Sequence, residues 1–175
     1  NILSVTMGND INPNNEKNIK NLKMVIEKEI NFLKIGLFDK KYLSEHKILL
    51  ENIDFKKTKP ICVMFADQDF DLSNVEKLID IGYQGIMIDT CYKSSNSLPD
   101  LLTHQEITSF LKIKKTHNLI SGLSGSLKLK HIPVLKKLKP DFLGFRGQLC
   151  SSSKARFEFD IKLAEEVSRR IRFNF

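Results

Sequence analysis

The sequence predicts an α/β fold built on a parallel sheet. Three observations carry this. Short apolar, β-branched runs alternate with amphipathic stretches, and the alternation repeats six times along 175 residues, roughly 29 per unit. The runs are apolar almost throughout, as in Ile61-Cys62-Val63-Met64-Phe65-Ala66, which suits strands covered on both faces. The carboxyl ends of the runs collect Gly, Ser, Asp, Lys and Arg, where parallel α/β folds gather their ligands.

The units follow one another in order. The first strand spans Ile2 to Thr6; after Pro13, Ile19, Leu22, Val25, Ile26 and Ile30 recur at helical spacing. The second strand is Ile30 to Leu37, with a helix from about Lys41 to Asn52. The third is Ile61 to Ala66, and its helix opens at Ser73 with Glu76 three residues on, a capping-box pattern. The fourth is Gly85 to Thr90; its helix opens at Thr103 with Glu106 at the same offset and turns Ile107, Phe110 and Leu111 inward. The fifth is Leu119 to Leu123, followed by a helix with Ile132, Leu135 and Leu138 that Pro140 closes. The sixth is Phe142 to Phe145, and the last helix runs from about Asp160 to Ile171 with Ile161, Ala164, Val167 and Ile171 on one stripe. No linker interrupts this pattern, so residues 1–175 read as one domain. Two architectures accommodate it. An open doubly wound sheet is satisfied by five or six strands. An eight-fold barrel closes only with eight. The count favours the first and the polar strand ends favour the second.

Composition narrows the function. Lys and Arg total 28 against 21 Asp and Glu, a net charge of +7 that favours anionic partners. Basic residues are spread without interleaved aromatics, which is no nucleic-acid signature. No apolar run approaches the roughly 18 residues of a membrane span, and no leader pattern is visible, so a cytoplasmic protein with neither a membrane nor a nucleic-acid partner is expected. Cys62, Cys91 and Cys150 are odd in number and form no C-x-x-C pair, so neither disulfides nor structural zinc are expected. His46, His104, His117 and His131 lack H-E-x-x-H spacing, so no metal site is expected.

The strand ends carry the chemistry. In Phe32-Leu33-Lys34-Ile35-Gly36-Leu37, alternation puts Lys34 on one face with Phe32 and Gly36. A lysine desolvated in such a run can serve as a base or an imine-forming nucleophile; a snorkelling or salt-bridged lysine is the plain alternative. The third strand ends in Asp67 and the fourth in Asp89, with Lys93 four residues beyond. Each aspartate alone reads equally well as a cap or turn residue; Lys34, Asp89 and Lys93 at one rim form a chemical set. Gly125 and Ser126 after the fifth strand, and Arg146 and Gly147 after the sixth, offer backbone amides and a guanidinium to a phosphate, although Gly and Ser are also ordinary turn chemistry. Neither loop is a Walker A or dinucleotide motif. The Cys150–Ser153 segment reads as a lid.

Three runs resemble one family. Asp89-Thr90-Cys91-Tyr92-Lys93, the block Gly122-Leu123-Ser124-Gly125-Ser126-Leu127-Lys128 with His131-Ile132, and Gly144-Phe145-Arg146-Gly147-Gln148-Leu149-Cys150 are similar to motifs of the (5-formylfuran-3-yl)methyl phosphate synthases, lyases of methanofuran biosynthesis. The likeness extends from Val5 to Arg156. It implies a (β/α)8 TIM barrel, of which this chain supplies about six units. Two preceding units, one with an imine-forming lysine in an Asp-x-Lys motif, have no counterpart before Val5. It implies condensation of two glyceraldehyde 3-phosphate molecules with loss of phosphate and water. The resemblance matches Lys34 to a proton-transferring lysine, Asp89 and Lys93 to a catalytic pair, and Asp67 to a rim aspartate. Gly125, Ser126, Arg146 and Gly147 fall at a phosphate site. No cofactor is implied, the partner is a small phosphorylated substrate, and exposed barrel helices leave room for self-association. Another phosphate-binding barrel aldolase or lyase, an inactive relative that binds a ligand or a partner chain without turnover, and last a nucleic-acid binder, are the competing readings.

Overall fold

The computed structural model describes residues 2–68, 70–92, 96–151 and 158–172. Its elements, in order, are β1 (Ser4–Thr6), α1 (Glu16–Ile26), β2 (Phe32–Leu37), α2 (Leu43–Asn52), β3 (Lys59–Phe65), α3 (Ser73–Ile81), β4 (Gly85–Asp89), α4 (Leu98–Leu101), α5 (His104–His117), β5 (Ile120–Leu123), α6 (Ile132–Lys137), β6 (Phe142–Leu143) and α7 (Ile161–Arg172). Short 3-10 turns precede α2 and α6 and follow β6 at Gly147–Leu149.

Topology decides between the two architectures. All pairings are parallel, and the strands lie in chain order β1-β2-β3-β4-β5-β6. A doubly wound sheet reverses its order at a switch point; this one never reverses. The sheet also curls. Phe32 on β2 and Phe142 on β6 are four strand spacings apart, roughly 19 Å in a flat sheet, yet their rings stack with centroids 6.3 Å apart. Six strands wound in one direction around a common interior are a partial (β/α)8 barrel.

Alternation along each strand builds two cores. Facing the interior, Ile61, Val63 and Met87 pack with Phe32, Phe65, Ile120 and Phe142. Facing outward, Leu33, Ile35, Ile86, Ile88 and Leu123 meet the helices through Leu22, Leu49, Leu78, Ile107, Phe110 and Leu135. Gly122 belongs to the inner set by necessity: a Cβ there would lie 2.1 Å from the Phe142 ring. The missing side chain makes room for the aromatic pair that plugs the barrel floor.

Local chemistry differs from expectation at several points. The Thr103–Glu106 capping box forms as read. The one read at Ser73 and Glu76 does not: Leu72 occupies the cap position, and the Asp71 carboxylate accepts from Ser73 N and Oγ at 2.8 and 2.6 Å. A shorter carboxylate two residues upstream wins the same amide. A capping box at Ser97 and Asp100, with Pro99 in the first turn, starts a four-residue helix too short to show a period. β6 keeps only Phe142–Leu143, because the chain leaves the sheet at Gly144. On α7, Val167 is buried but Ile161 is 65% exposed, so the stripe is covered only in part.

Candidate active site

The alternation that lines the barrel floor with Phe32 also points Lys34 inward, one pleat nearer the carboxyl end. Lys34 stands in register with Thr6 on β1 and Ile61 on β3. Asp89, the last residue of β4, stands in register with Phe65. Met87 and Val63 lie beneath as an apolar base. The amino group of Lys34 and the carboxyl group of Asp89 therefore rise from an apolar floor into the same mouth.

That mouth is a two-lobed cavity, and both lobes share Thr6, Lys34, Met87, Asp89, Thr90 and Arg146. One lobe, about 350 Å³, is completed by Ser124, Gly125, Ser126 and Gly144. The other, about 420 Å³, extends past Gly36, Phe65, Gln68 and Cys91. Residues of β1 and of the segment after β6 meet here because the sheet curls. Among the described residues, the wall brings Lys34, Arg146 and Asp89 to a small concave space, a balance that suits an anionic ligand.

The residues singled out from the sequence divide as follows. Lys34 and Asp89 line the same cavity, and no ion pair joins them among the described residues. The Asp89 carboxylate accepts from Thr90 N at 2.7 Å through Oδ1. Arg146 lines both lobes, and its side chain is exposed to them. Gly125 is buried at φ 104° against Thr90, whose Cγ2 would lie 2.8 Å from an added Cβ. Ser126 follows at φ 48°. These two left-handed residues fold the turn after β5 onto the turn after β4. Gly147 opens the 3-10 turn beside Arg146 and is not a lining residue. Asp67 also stays off the wall: its two oxygens accept from Cys91 N and Tyr92 N, each at 2.8 Å. Lys93, and Ser152 and Ser153 of the segment read as a lid, lie outside the described residues.

Thr6, Ser124 and Gln68 also line the cavity, though sequence reasoning did not single them out. Ser124 is buried, with Oγ 3.4 Å from the Ile88 carbonyl. Thr6 carried a readable signal, a hydroxyl at the carboxyl end of an otherwise apolar strand. Cys91 sits in the wall, and burial together with the Asp67 and Asp89 charges pushes its thiol pKa up. A thiol so placed is a poor nucleophile. Among the described residues, no cluster of three or more His, Cys, Asp or Glu could hold a metal ion.

Comparison with known proteins places the chain in a family. The family model described as 4-HFC-P synthase matches residues 1–168. The chain belongs to that family. Among relatives, (5-formylfuran-3-yl)methyl phosphate synthase of Archaeoglobus fulgidus is 28% identical over 151 residues, 78% of this chain and 64% of that one. The protein of the same name from Methanocaldococcus jannaschii is 28% identical over 149 residues, 78% of this chain and 63% of that one. A Methylorubrum extorquens relative is 44% identical over 100 residues, 57% of this chain and 42% of that one. The chain thus spans 42% to 64% of the length of these three relatives. A crystal structure of 3-hexulose-6-phosphate synthase aligns over 97% of each chain at 10% identity and a TM-score of 0.30, too distant a likeness to bear on the site. Within this family member, Lys34, Asp89, Gly125, Ser126 and Arg146 stand around one cavity at the carboxyl ends of the strands. No helix among the described residues is long and apolar enough to cross a membrane.

Proposed function

We propose that this protein condenses two molecules of glyceraldehyde 3-phosphate to (5-formylfuran-3-yl)methyl phosphate, with loss of one phosphate and water. The observation that carries this is the convergence of Lys34, Asp89 and Arg146 on one cavity in a chain of the 4-HFC-P synthase family.

The chemistry asks three things of the site. A carbon next to a carbonyl must lose a proton, the resulting carbanion must attack a second aldehyde, and phosphate must leave. Lys34 takes the first task. It is half-buried over an apolar floor, with no hydrogen-bond or charged partner among the described residues, so its amine is at liberty to exchange a proton with the ligand. Asp89 supplies the balancing charge and a carboxylate that holds a substrate hydroxyl or the ammonium form of a lysine. Arg146 and the turn at Gly125–Ser126 hold the phosphate, first as an anchor and then as a leaving group whose growing charge they stabilise. Closing the furan ring then removes water. The resemblance assigns imine formation to a lysine in a motif that precedes Val5, so the reading asks of Lys34 only proton transfer.

The test is turnover in the whole protein. Lys34→Ala should lower kcat by about 10²- to 10⁴-fold, the range of a lost general acid–base group, while circular dichroism and the melting temperature stay near wild type. Turnover at a near wild-type rate would remove Lys34 from the mechanism.

A further inference from the structure

We propose that Asp67 is a positioning residue that pins the segment after β4, and that it transfers no proton. The proposal rests on the reading above for its consequence in catalysis, but not for the pin itself. Asp67 follows β3, while Cys91 and Tyr92 lie beyond β4, 24 and 25 residues away. Its Oδ1 accepts from Cys91 N and its Oδ2 from Tyr92 N, both at 2.8 Å. Both oxygens are thus spent on consecutive amides of one neighbouring loop. Just before this contact, Ala66 N donates to the Asp89 carbonyl at 2.8 Å, so the two strands stay joined to their ends.

The pinned segment is the one that matters for the cavity. It begins at Asp89 and Thr90, continues through Cys91 in the wall, and leads directly in sequence to Lys93. Gly125 holds it from the other side. Its backbone packs against Thr90, and its carbonyl accepts from Leu98 N at 2.9 Å, where the chain enters α4. Cys91 and Tyr92 are therefore held by Asp67, and Leu98 by the Gly125 turn. Tyr92 shows why the hold by Asp67 is needed: its side chain is 62% exposed, so no buried contact of its own holds the loop down. A carboxylate accepting from backbone amides makes charge-assisted hydrogen bonds, roughly twice as strong as neutral ones.

A pin and a proton carrier predict different responses. Asn keeps one acceptor oxygen and turns an N–H₂ group toward the other amide, whereas Ala keeps nothing. A pin should therefore weaken in two steps, Asn then Ala. A proton carrier should fail equally in both.

The direct measurement is amide hydrogen exchange on the whole protein, wild type against Asp67→Asn and Asp67→Ala. Exchange at Cys91 and Tyr92 should rise about ten- to hundredfold in Asp67→Ala, less in Asp67→Asn, while the amides of β3 and β4 stay protected. Alkylation of Cys91, separated from Cys150 by peptide mapping, should accelerate in the same order. In turnover, kcat should fall in that order, with the shape of the pH–rate profile unchanged. If Asp67→Ala does not fold, the Asp67→Asn exchange rates decide. Unchanged exchange at Cys91 and Tyr92 in a folded variant would overturn the pin, whatever the enzyme's substrate. Raised exchange with undisturbed conversion of glyceraldehyde 3-phosphate would overturn its catalytic consequence. Equal loss in both variants, with one limb of the pH profile erased, would make Asp67 a proton carrier.

Discussion

Arg146 has the least buried side chain among the charged groups of the cavity and the one whose role is easiest to isolate. Its loss leaves the floor, Lys34 and Asp89 in place, so Arg146→Ala should act on phosphate binding. KM should rise about ten- to hundredfold, the worth of a charge-assisted contact, with a smaller change in kcat. An unchanged KM would argue against a phosphate contact. A second residue reports on the scaffold. His46 on α2 is fully buried against the Tyr83 hydroxyl at 2.5 Å, and its Nε2 has no hydrogen-bond partner among the described residues. Burial lowers its pKa from 6.5 to about 4, so the ring is neutral in the fold. Because the folded pKa lies below the unfolded one, its contribution to stability is present above pH 6.5 and is lost as the pH falls from about 6.5 through about 4. The loss amounts to roughly 3 kcal/mol. Urea midpoints between pH 7 and pH 4.5 should fall less steeply in His46→Gln than in wild type; parallel slopes would contradict this.

Much of the site was legible at this scale because alternation in a short apolar strand settles which way a side chain points. Lys34 was readable from Phe32 and Gly36 alone, and Asp89 from its place at a strand end. Asp67 was not. The same aspartate serves as a wall residue or a loop pin according to what lies 24 residues onward, and no local pattern encodes that distance.

At the scale of elements, the turns after β4, β5 and β6 complete one lobe of the cavity, and glycine governs how they meet. Gly122→Ala should push against the Phe142 ring, which lies 2.1 Å from the added methyl. A cost of about 1–3 kcal/mol and a lower melting temperature are expected. Unfolding as late as wild type would show that the aromatic floor yields without cost. Gly125→Ala combines a strained φ of 104° with a clash on Thr90, so it should weaken phosphate binding more than it weakens the fold. Elements with a long period are legible in the sequence, as α5 and its capping box show, although the cap of α3 is not. Short elements are harder to read. α4 has four residues and β6 has two, and each depends on a single box or a single departure from the sheet.

At the scale of the molecule, the balance between an open sheet and a barrel could not be struck by counting strands. It turned on strand order and curl, which are properties of pairing between distant segments. The unreversed order and the contact between Phe32 and Phe142 make the chain a partial barrel, and the curl is what lets Thr6, Lys34, Asp89 and Arg146 share one cavity. The net charge of +7 gains a local meaning there, in a mouth that presents Lys34 and Arg146 against one carboxylate. The central claim is therefore chemical and joins the cavity to the family. The measurement that meets it most directly is incubation of the whole protein with glyceraldehyde 3-phosphate alone, with chromatography of the products and assay of released phosphate. The account predicts a furan aldehyde chromophore and one phosphate per furan formed, both slowed about 10²- to 10⁴-fold in Lys34→Ala. Release of phosphate without a furan, or a furan formed equally well by Lys34→Ala, would contradict it.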